Sequence, residues 1–151
     1  MNAPASKSSA VVRRARKEDA AAIGGLTGQL GYPSTPEQIE KRLVRVLRDS
    51  EHVLFVAEMP GGRIGGWLHA FGYHVVESDP RAEVAGLVVD ETQRGTGVGR
   101  LLMHSAEDWA REKGYTAVGL RSNIVRHAAH AFYQRIGYKI PKTQHVFQKD
   151  L

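Results

Sequence analysis

The chain has 151 residues, 42% of them hydrophobic and 25% charged, which suits one globular domain with its own core and excludes a peptide, a fibre or a disordered polymer. It has no cysteine, so disulfides, cysteine-ligated zinc and thiol nucleophiles are excluded together. Twenty-one Lys and Arg against 16 Asp and Glu leave a formal net charge of +5, which favours an anionic partner such as nucleic acid, a membrane surface or a phosphorylated small molecule.

Residues 1–10 are small, polar and aperiodic, and are expected to form a disordered tail ahead of a domain over 11–151. The tail lacks the apolar centre of a secretory signal, and the longest apolar run, 53–57, is far short of the roughly 18 residues of a membrane span, so the cytoplasm is the expected compartment. A short strand is predicted over 11–15. A helix over 20–30 follows, with Ala22, Ile23, Leu26 and Leu30 inward, although Gly24, Gly25 and Gly28 weaken it by about 1 kcal/mol each. After the break at Gly31, Tyr32 and Pro33, Thr35, Pro36 and Gln38 announce a second helix through a capping box with proline at the first helical position. Its expected buried face is Ile39, Leu43, Val46 and Leu47.

Strands over 52–58 and 64–73 are joined through Pro60, Gly61 and Gly62, and another strand runs over 84–90. Directly after it comes Arg94-Gly95-Thr96-Gly97-Val98-Gly99, then a helix with Val98, Leu101, Leu102, Ala106 and Trp109 inward, closed by Gly114. A strand over 115–120, a helix over 124–136 and a closing strand pair at 138–140 and 145–149 complete the chain. Trp67 is expected in the core. No internal repeat or dividing linker is present.

Strand, glycine turn and helix together aim backbone N–H groups and the positive end of a helix dipole at an anion. The turn contains neither G-x-x-x-x-G-K-[ST] nor G-x-G-x-x-G, because the residue three beyond Gly97 is Arg100. What remains is R-x-x-G-x-G, filled by Arg94, Gly97 and Gly99.

That motif resembles the pyrophosphate-binding loop of the GCN5-related N-acetyltransferase (GNAT) superfamily. Residues 82–90 are similar to the family's central strand, and Arg121-Ser122-Asn123 with 128–138 resembles its second block, so the likeness covers about half the chain. The resemblance implies a single-domain α/β fold: a mixed, twisted sheet with helices on both faces and a splayed central strand pair. It implies acetyl-CoA as co-substrate and direct acetyl transfer to a primary amine in a ternary complex, with no metal.

Under this resemblance Leu87, Val88 and Val89 offer main-chain partners to the pantetheine arm, and Arg94, Gly95, Thr96, Gly97, Val98, Gly99 and Arg100 hold the diphosphate. Asn123 either caps a helix or bonds the cofactor's amide, and Phe132 belongs to the same cofactor-binding block. Tyr133, on the border of a stripe formed by Ala128, Phe132 and Ile136, corresponds to the family's proton donor to the CoA thiolate. Glu83, eleven residues before Arg94, has the spacing of the general base in the lysine-acetylating branch; the alternatives are a water relay, a histidine such as His69 or His74, or a merely solvated glutamate.

Histidines 69 and 74 otherwise suit exposed strand positions, and His127 with His130 lacks the further ligands a metal needs. The run Arg13, Arg14, Arg16 and Lys17 is expected as a solvated face. Glu77, Asp79 and Glu83 hint at a cationic amine as acceptor. Two other classes remain: an acyl-CoA sensor without turnover, and a basic nucleic-acid-binding module, whose affinity would fall steeply with salt. The acceptor, small molecule or protein, is not legible, nor is the oligomeric state, although homodimers are common among similar folds.

Overall fold

The computed structural model describes residues 8–151; most of the expected disordered tail lies outside the described residues. Strand β1 (Val11–Arg14) leads through a 3-10 turn (Lys17–Asp19) into α1 (Ala20–Gln29) and α2 (Pro36–Arg48). Strands β2 (His52–Glu58), β3 (Ile64–Val75) and β4 (Ser78–Val89) follow, then α3 (Val98–Glu112), β5 (Val118–Leu120) and α4 (His127–Arg135). The described residues up to Arg121 form one compact unit, and Ser122–Leu151 form a second.

The sheet runs in the order β1-β2-β3-β4-β5, antiparallel throughout except for the parallel β4–β5 pair. Side chains alternate across it. Leu54, Val56, Ile64, Trp67 and Val88 pack with Ile23, Leu26, Ile39 and Leu43 of α1 and α2. The other side meets α3, which buries Val98, Leu102, Met103, Ala106, Trp109 and Ala110. Gly66 allows that approach, since a Cβ there would stand 3.2 Å from Leu102 Cδ1.

The capping box opens α2 as its residues dictate: the Gln38 N–H donates to Thr35 Oγ1 at 3.2 Å, and Thr35 N–H donates to Gln38 Oε1 at 3.0 Å. Thr35→Ala is expected to destabilise the fold by about 1 kcal/mol in urea denaturation, because the Gln38 N–H loses its side-chain acceptor. In α1, Thr27 is buried because its hydroxyl donates to the Ile23 carbonyl, 2.6 Å away. The basic run near the N-terminus is not wholly a solvated face. Arg13 grips Asp19 with two nitrogens at 2.8 and 2.9 Å and donates to Glu58 at 2.7 Å, tying β1 to the 3-10 turn and to β2. The Arg13 guanidinium holds the Asp19 carboxyl below the usual carboxylate range.

Several expected elements differ. Strand β4 starts at Ser78 rather than 84, because pairing with β3 carries it through Tyr73↔Arg81 and Val75↔Ser78. Strand β5 is shorter than 115–120, since β4 offers it only Ala82, Glu83 and Val84. Helix α4 starts at His127 rather than 124, and Ala128 is exposed; its less exposed face is Ala129, Phe132, Tyr133 and Ile136. Leu47, one turn beyond Leu43 in the last turn of α2, is 41% exposed. No strand forms over 138–151: neither segment of the expected pair finds a ladder partner among the described residues.

Candidate active site

A register shift in the β3–β4 ladder defines the centre of the sheet. His69 opposes Gly86 and Ala70 opposes Val84, so Ala85 is the extra residue of a bulge. Strand β5 pairs with β4 only up to Val84. From 85 to 89 the outer edge of β4 therefore has no strand beside it among the described residues, while its inner edge stays bonded to β3 through Leu87, Val88 and Val89. An unpaired edge of this kind can accept an extended ligand through main-chain hydrogen bonds.

The bare edge runs into the glycine turn. Asp90 N–H donates to the Gly65 carbonyl at 2.8 Å, and the Asp90 carboxylate accepts the Thr92 N–H at 2.9 Å, which closes a 3-10 turn over Glu91–Gln93. Those bonds with Thr92 hold the Asp90 carboxyl below its ordinary value. Gly95 and Gly97 then take φ of 79° and 90°, the left-handed region that favours glycine. Gly97 is the N-cap of α3 and brings no side chain to its donors. The first intrahelical bond is Leu101 N–H to the Gly97 carbonyl at 3.1 Å, so the amides of Val98, Gly99 and Arg100 lie ahead of it.

Among the described residues a Cβ at Gly95 would meet nothing within 4 Å, and one at Gly97 would meet only Ser8. Arg94 and Arg100 are exposed on either side. Thr96 differs from its neighbours, because both its N–H and its hydroxyl donate to the Gln93 carbonyl and shape the turn from within. The donor set fits a diphosphate.

Glu83 lies two residues before the bulge and is only 5% exposed, which removes the solvated-glutamate alternative. Its Oε2 is 3.2 Å from Arg81 Nε, and its Oε1 is 3.7 Å from Arg121 Nε. The backbone of β5 comes so close that a Cβ at Gly119 would stand 2.8 Å from Arg81 Nε and 2.9 Å from Glu83 Oε2. Glu77 and Asp79 are exposed and do not join Glu83 in an acidic patch; its charge is met by arginines instead.

Opposite Glu83 and Arg81 on β3 stand Phe71 and Tyr73. Arg81 lies over the Tyr73 ring with Cζ 4.3 Å from its centroid. His69 continues the row towards Gly86 and is not the exposed strand histidine expected: it is partly buried, stacked on His52 at 5.1 Å, with His52 Nδ1 and His69 Nε2 2.9 Å apart. Burial, and secondarily the neighbouring His52, pushes the His69 imidazole down to about 4, so it is neutral at physiological pH. His74 lies elsewhere, bonded to Glu51 and Tyr115 at 3.3 and 3.1 Å. Arg81, Tyr73 and His52 are the members that motif reasoning missed, and Arg121 stood within the second block without a role; the Arg81-x-Glu83 spacing, two apart on a strand, was the available signal.

In the second unit, Asn123 Oδ1 accepts the Val125 N–H at 3.1 Å and the helix cap falls to Arg126, so Asn123 closes a turn and does not cap α4. Tyr133 packs edge-on against Phe132 at 5.1 Å and Tyr138 at 6.1 Å. Its hydroxyl makes no hydrogen bond among the described residues, and burial raises its pKa above the ordinary phenol value, with Arg126 opposing. The phenol therefore keeps its proton at neutral pH. Among the described residues no group of three metal-ligating side chains occurs, and no helix is long and apolar enough to cross a membrane.

The family model for the acetyltransferase (GNAT) family matches residues 15–138. The chain is 29% identical over 137 residues to an aminoglycoside N(6')-acetyltransferase type 1 of Stenotrophomonas maltophilia, covering 87% of this chain and 88% of that one. It is 32% identical over 140 residues to an uncharacterized N-acetyltransferase of Chlorobaculum tepidum, covering 91% and 81%. Among solved structures it is similar in fold to AAC(6')-Iy in complex with the bisubstrate analog CoA-S-monomethyl-acetylneamine, at a TM-score of 0.84 and 20% identity over 95% of this chain and 100% of that one.

Proposed function

The chain belongs to the GNAT family of acetyltransferases, and on that premise we propose that it moves an acetyl group from acetyl-CoA directly to a primary amine within a ternary complex. The observation that carries this reading is the bare edge of β4 over 85–89 leading into an uncapped glycine turn. Main-chain groups at Leu87, Val88 and Val89 hold the pantetheine arm. The amides of Gly95, Gly97, Val98, Gly99 and Arg100, with the guanidiniums of Arg94 and Arg100, hold the diphosphate, and Thr96 braces the turn. Asn123 and Phe132 complete the cofactor contacts. Relatives named for amine acetylation support an amine as acceptor. The cytoplasm is the proposed compartment.

Chemistry requires a neutral amine, attack of its nitrogen on the thioester carbon, cleavage of the carbon–sulfur bond and a proton for the departing sulfur. Glu83 takes the amine proton through water, because its carboxylate is buried and already engaged by Arg81. Tyr133 supplies the proton to sulfur: an uncharged phenol is the right state for that donation, and burial keeps it uncharged.

The test is thiol release when the protein is mixed with acetyl-CoA and a panel of primary amines. Release that depends on the amine supports transfer; saturation with acetyl-CoA and no thiol identifies a sensor. Tyr133→Phe is expected to slow turnover by about 10-fold while leaving CoA affinity nearly intact. An unchanged rate removes Tyr133 from the donor role.

A further inference from the structure

We propose that the acceptor amine also carries an oxyanion group, a carboxylate or phosphonate, and that Arg81 and Arg121 bind it beside Tyr73. The inference rests on the acetyl-transfer reading and specifies its substrate class.

The charge count around Glu83 is uneven. One carboxylate, 5% exposed, faces two guanidiniums at 3.2 and 3.7 Å. The side chains of Arg81 and Arg121 are 30% and 66% exposed, so the surplus positive charge lies on the solvent side of the buried carboxylate. Both guanidiniums are fixed by the same ring: Arg81 Cζ is 4.3 Å and Arg121 Cζ 5.8 Å from the Tyr73 centroid, and Arg121 Nη2 donates to the Tyr73 hydroxyl at 3.4 Å. Arg81 is engaged only through Nε, so both of its Nη nitrogens remain available among the described residues. A planar guanidinium held on an aromatic face with its fork uncommitted suits two parallel hydrogen bonds to an oxyanion.

The row beyond Tyr73 adds little charge. Phe71 stacks on His52 at 5.5 Å, His69 is neutral, and the Asp49 carboxylate at the far end stands 3.8 Å from His52. A polycationic acceptor would need unspent carboxylates near the amine, whereas Glu83 is already compensated. An amine bearing one acid group instead brings the charge that this end of the sheet lacks. Glu83 lies two residues before the bare edge of β4 begins, so the acid-binding pair stands alongside the proposed thioester arm.

The test compares kcat/KM, with acetyl-CoA saturating, for 3-aminopropylphosphonate, β-alanine, propylamine and spermidine. The two acid-bearing amines are expected to exceed propylamine by about 10-fold, the scale of a charge-assisted hydrogen bond. Arg81→Gln and Arg121→Gln are each expected to narrow that ratio to within about 3-fold, acting mainly through KM. Arg121 is the more exposed of the two, so its variant decides the matter if Arg81→Gln fails to fold. Preference for spermidine, a ratio near one in the natural protein, or a ratio unaltered by Arg121→Gln overturns the inference. Transfer without preference overturns it alone; acetyl-CoA binding with no thiol release from any of the four amines overturns the acetyl-transfer reading as well.

Discussion

Gly97→Asp is expected to weaken acetyl-CoA binding by about 100-fold, while Gly97→Asn weakens it by about 5-fold or less. The pair separates two effects at one position. Gly97 sits at φ 90°, where most side chains are strained, but Asn and Asp tolerate the left-handed region best, so both variants should fold. Either side chain can also turn back to cap the first amides of α3, which costs the ligand some donors in both. Only the aspartate adds a negative charge where the diphosphate would lie. At about 4 Å and an intermediate dielectric that repulsion reaches as much as about 4 kcal/mol, and screening leaves enough for the 100-fold loss. Titration calorimetry with acetyl-CoA, beside circular dichroism to show that α3 persists, measures it. Equal affinities for the two variants would mean that no diphosphate binds at this turn.

The stability of the fold is expected to fall by about 3 kcal/mol as pH drops from 6.5 to about 4, through His69 alone. In the unfolded chain this imidazole titrates near 6.5, whereas burial on β3 and the neighbouring His52 push it down to about 4 in the fold. Between those values the unfolded chain binds a proton that the folded chain refuses, so stability rises with pH there. The contribution is complete above 6.5 and is lost progressively on acidification to about 4. Glu51 acts lower: its carboxyl, held down to about 2 first by the Tyr115 hydroxyl and then by Lys113, contributes above about 4.5 and loses that contribution as pH falls towards 2. The two windows overlap only between about 4 and 4.5, so the part of a urea denaturation series from pH 7 to 4.5 isolates the histidine. His69→Gln should flatten the profile across that range; a slope unchanged in the variant would assign the loss to other groups.

Local chemistry explains which features are legible in the sequence. Strand β2 falls on 52–58 because an apolar run ends at a Pro-Gly-Gly turn, and Gly61 and Gly62 take φ of 92° and 89° there. Helix α2 starts at Pro36 because Thr35 and Gln38 satisfy each other's backbone within one turn of chain. The glycine turn was visible for the same reason: Gly95 and Gly97 adopt conformations that other residues resist.

What was missed depends on partners distant in sequence. The first third of β4, Ser-Asp-Pro-Arg, has loop composition and is extended only because β3 pairs with it. The neutral state of His69 needs burial and His52, seventeen residues away. Glu83 was found by spacing, but its two guanidiniums come from one strand neighbour and from a residue 38 positions on, and no local pattern joins them. The closing strands failed in the opposite sense. The apolar pair Val146 and Phe147 suggested a strand over 145–149, yet the two are 87% and 92% exposed, because a short apolar stretch without a ladder partner makes no strand.

The extra residue at Ala85 also sets where this chain can change length. It lets Glu83 and Gly86, three apart, share the side of the sheet that carries Phe71 and His69, while Val84 points with Ala70. Removing Ala85 would leave the two residues two apart on an unbroken strand, still on one side, but would cost β4 the local bend and extra twist that the bulge puts where strand β5 ends and the ligand edge begins. The tip between Val75 and Ser78 carries no such constraint. Insertions and deletions across descendants of this gene should therefore collect at the hairpin's end and spare its waist.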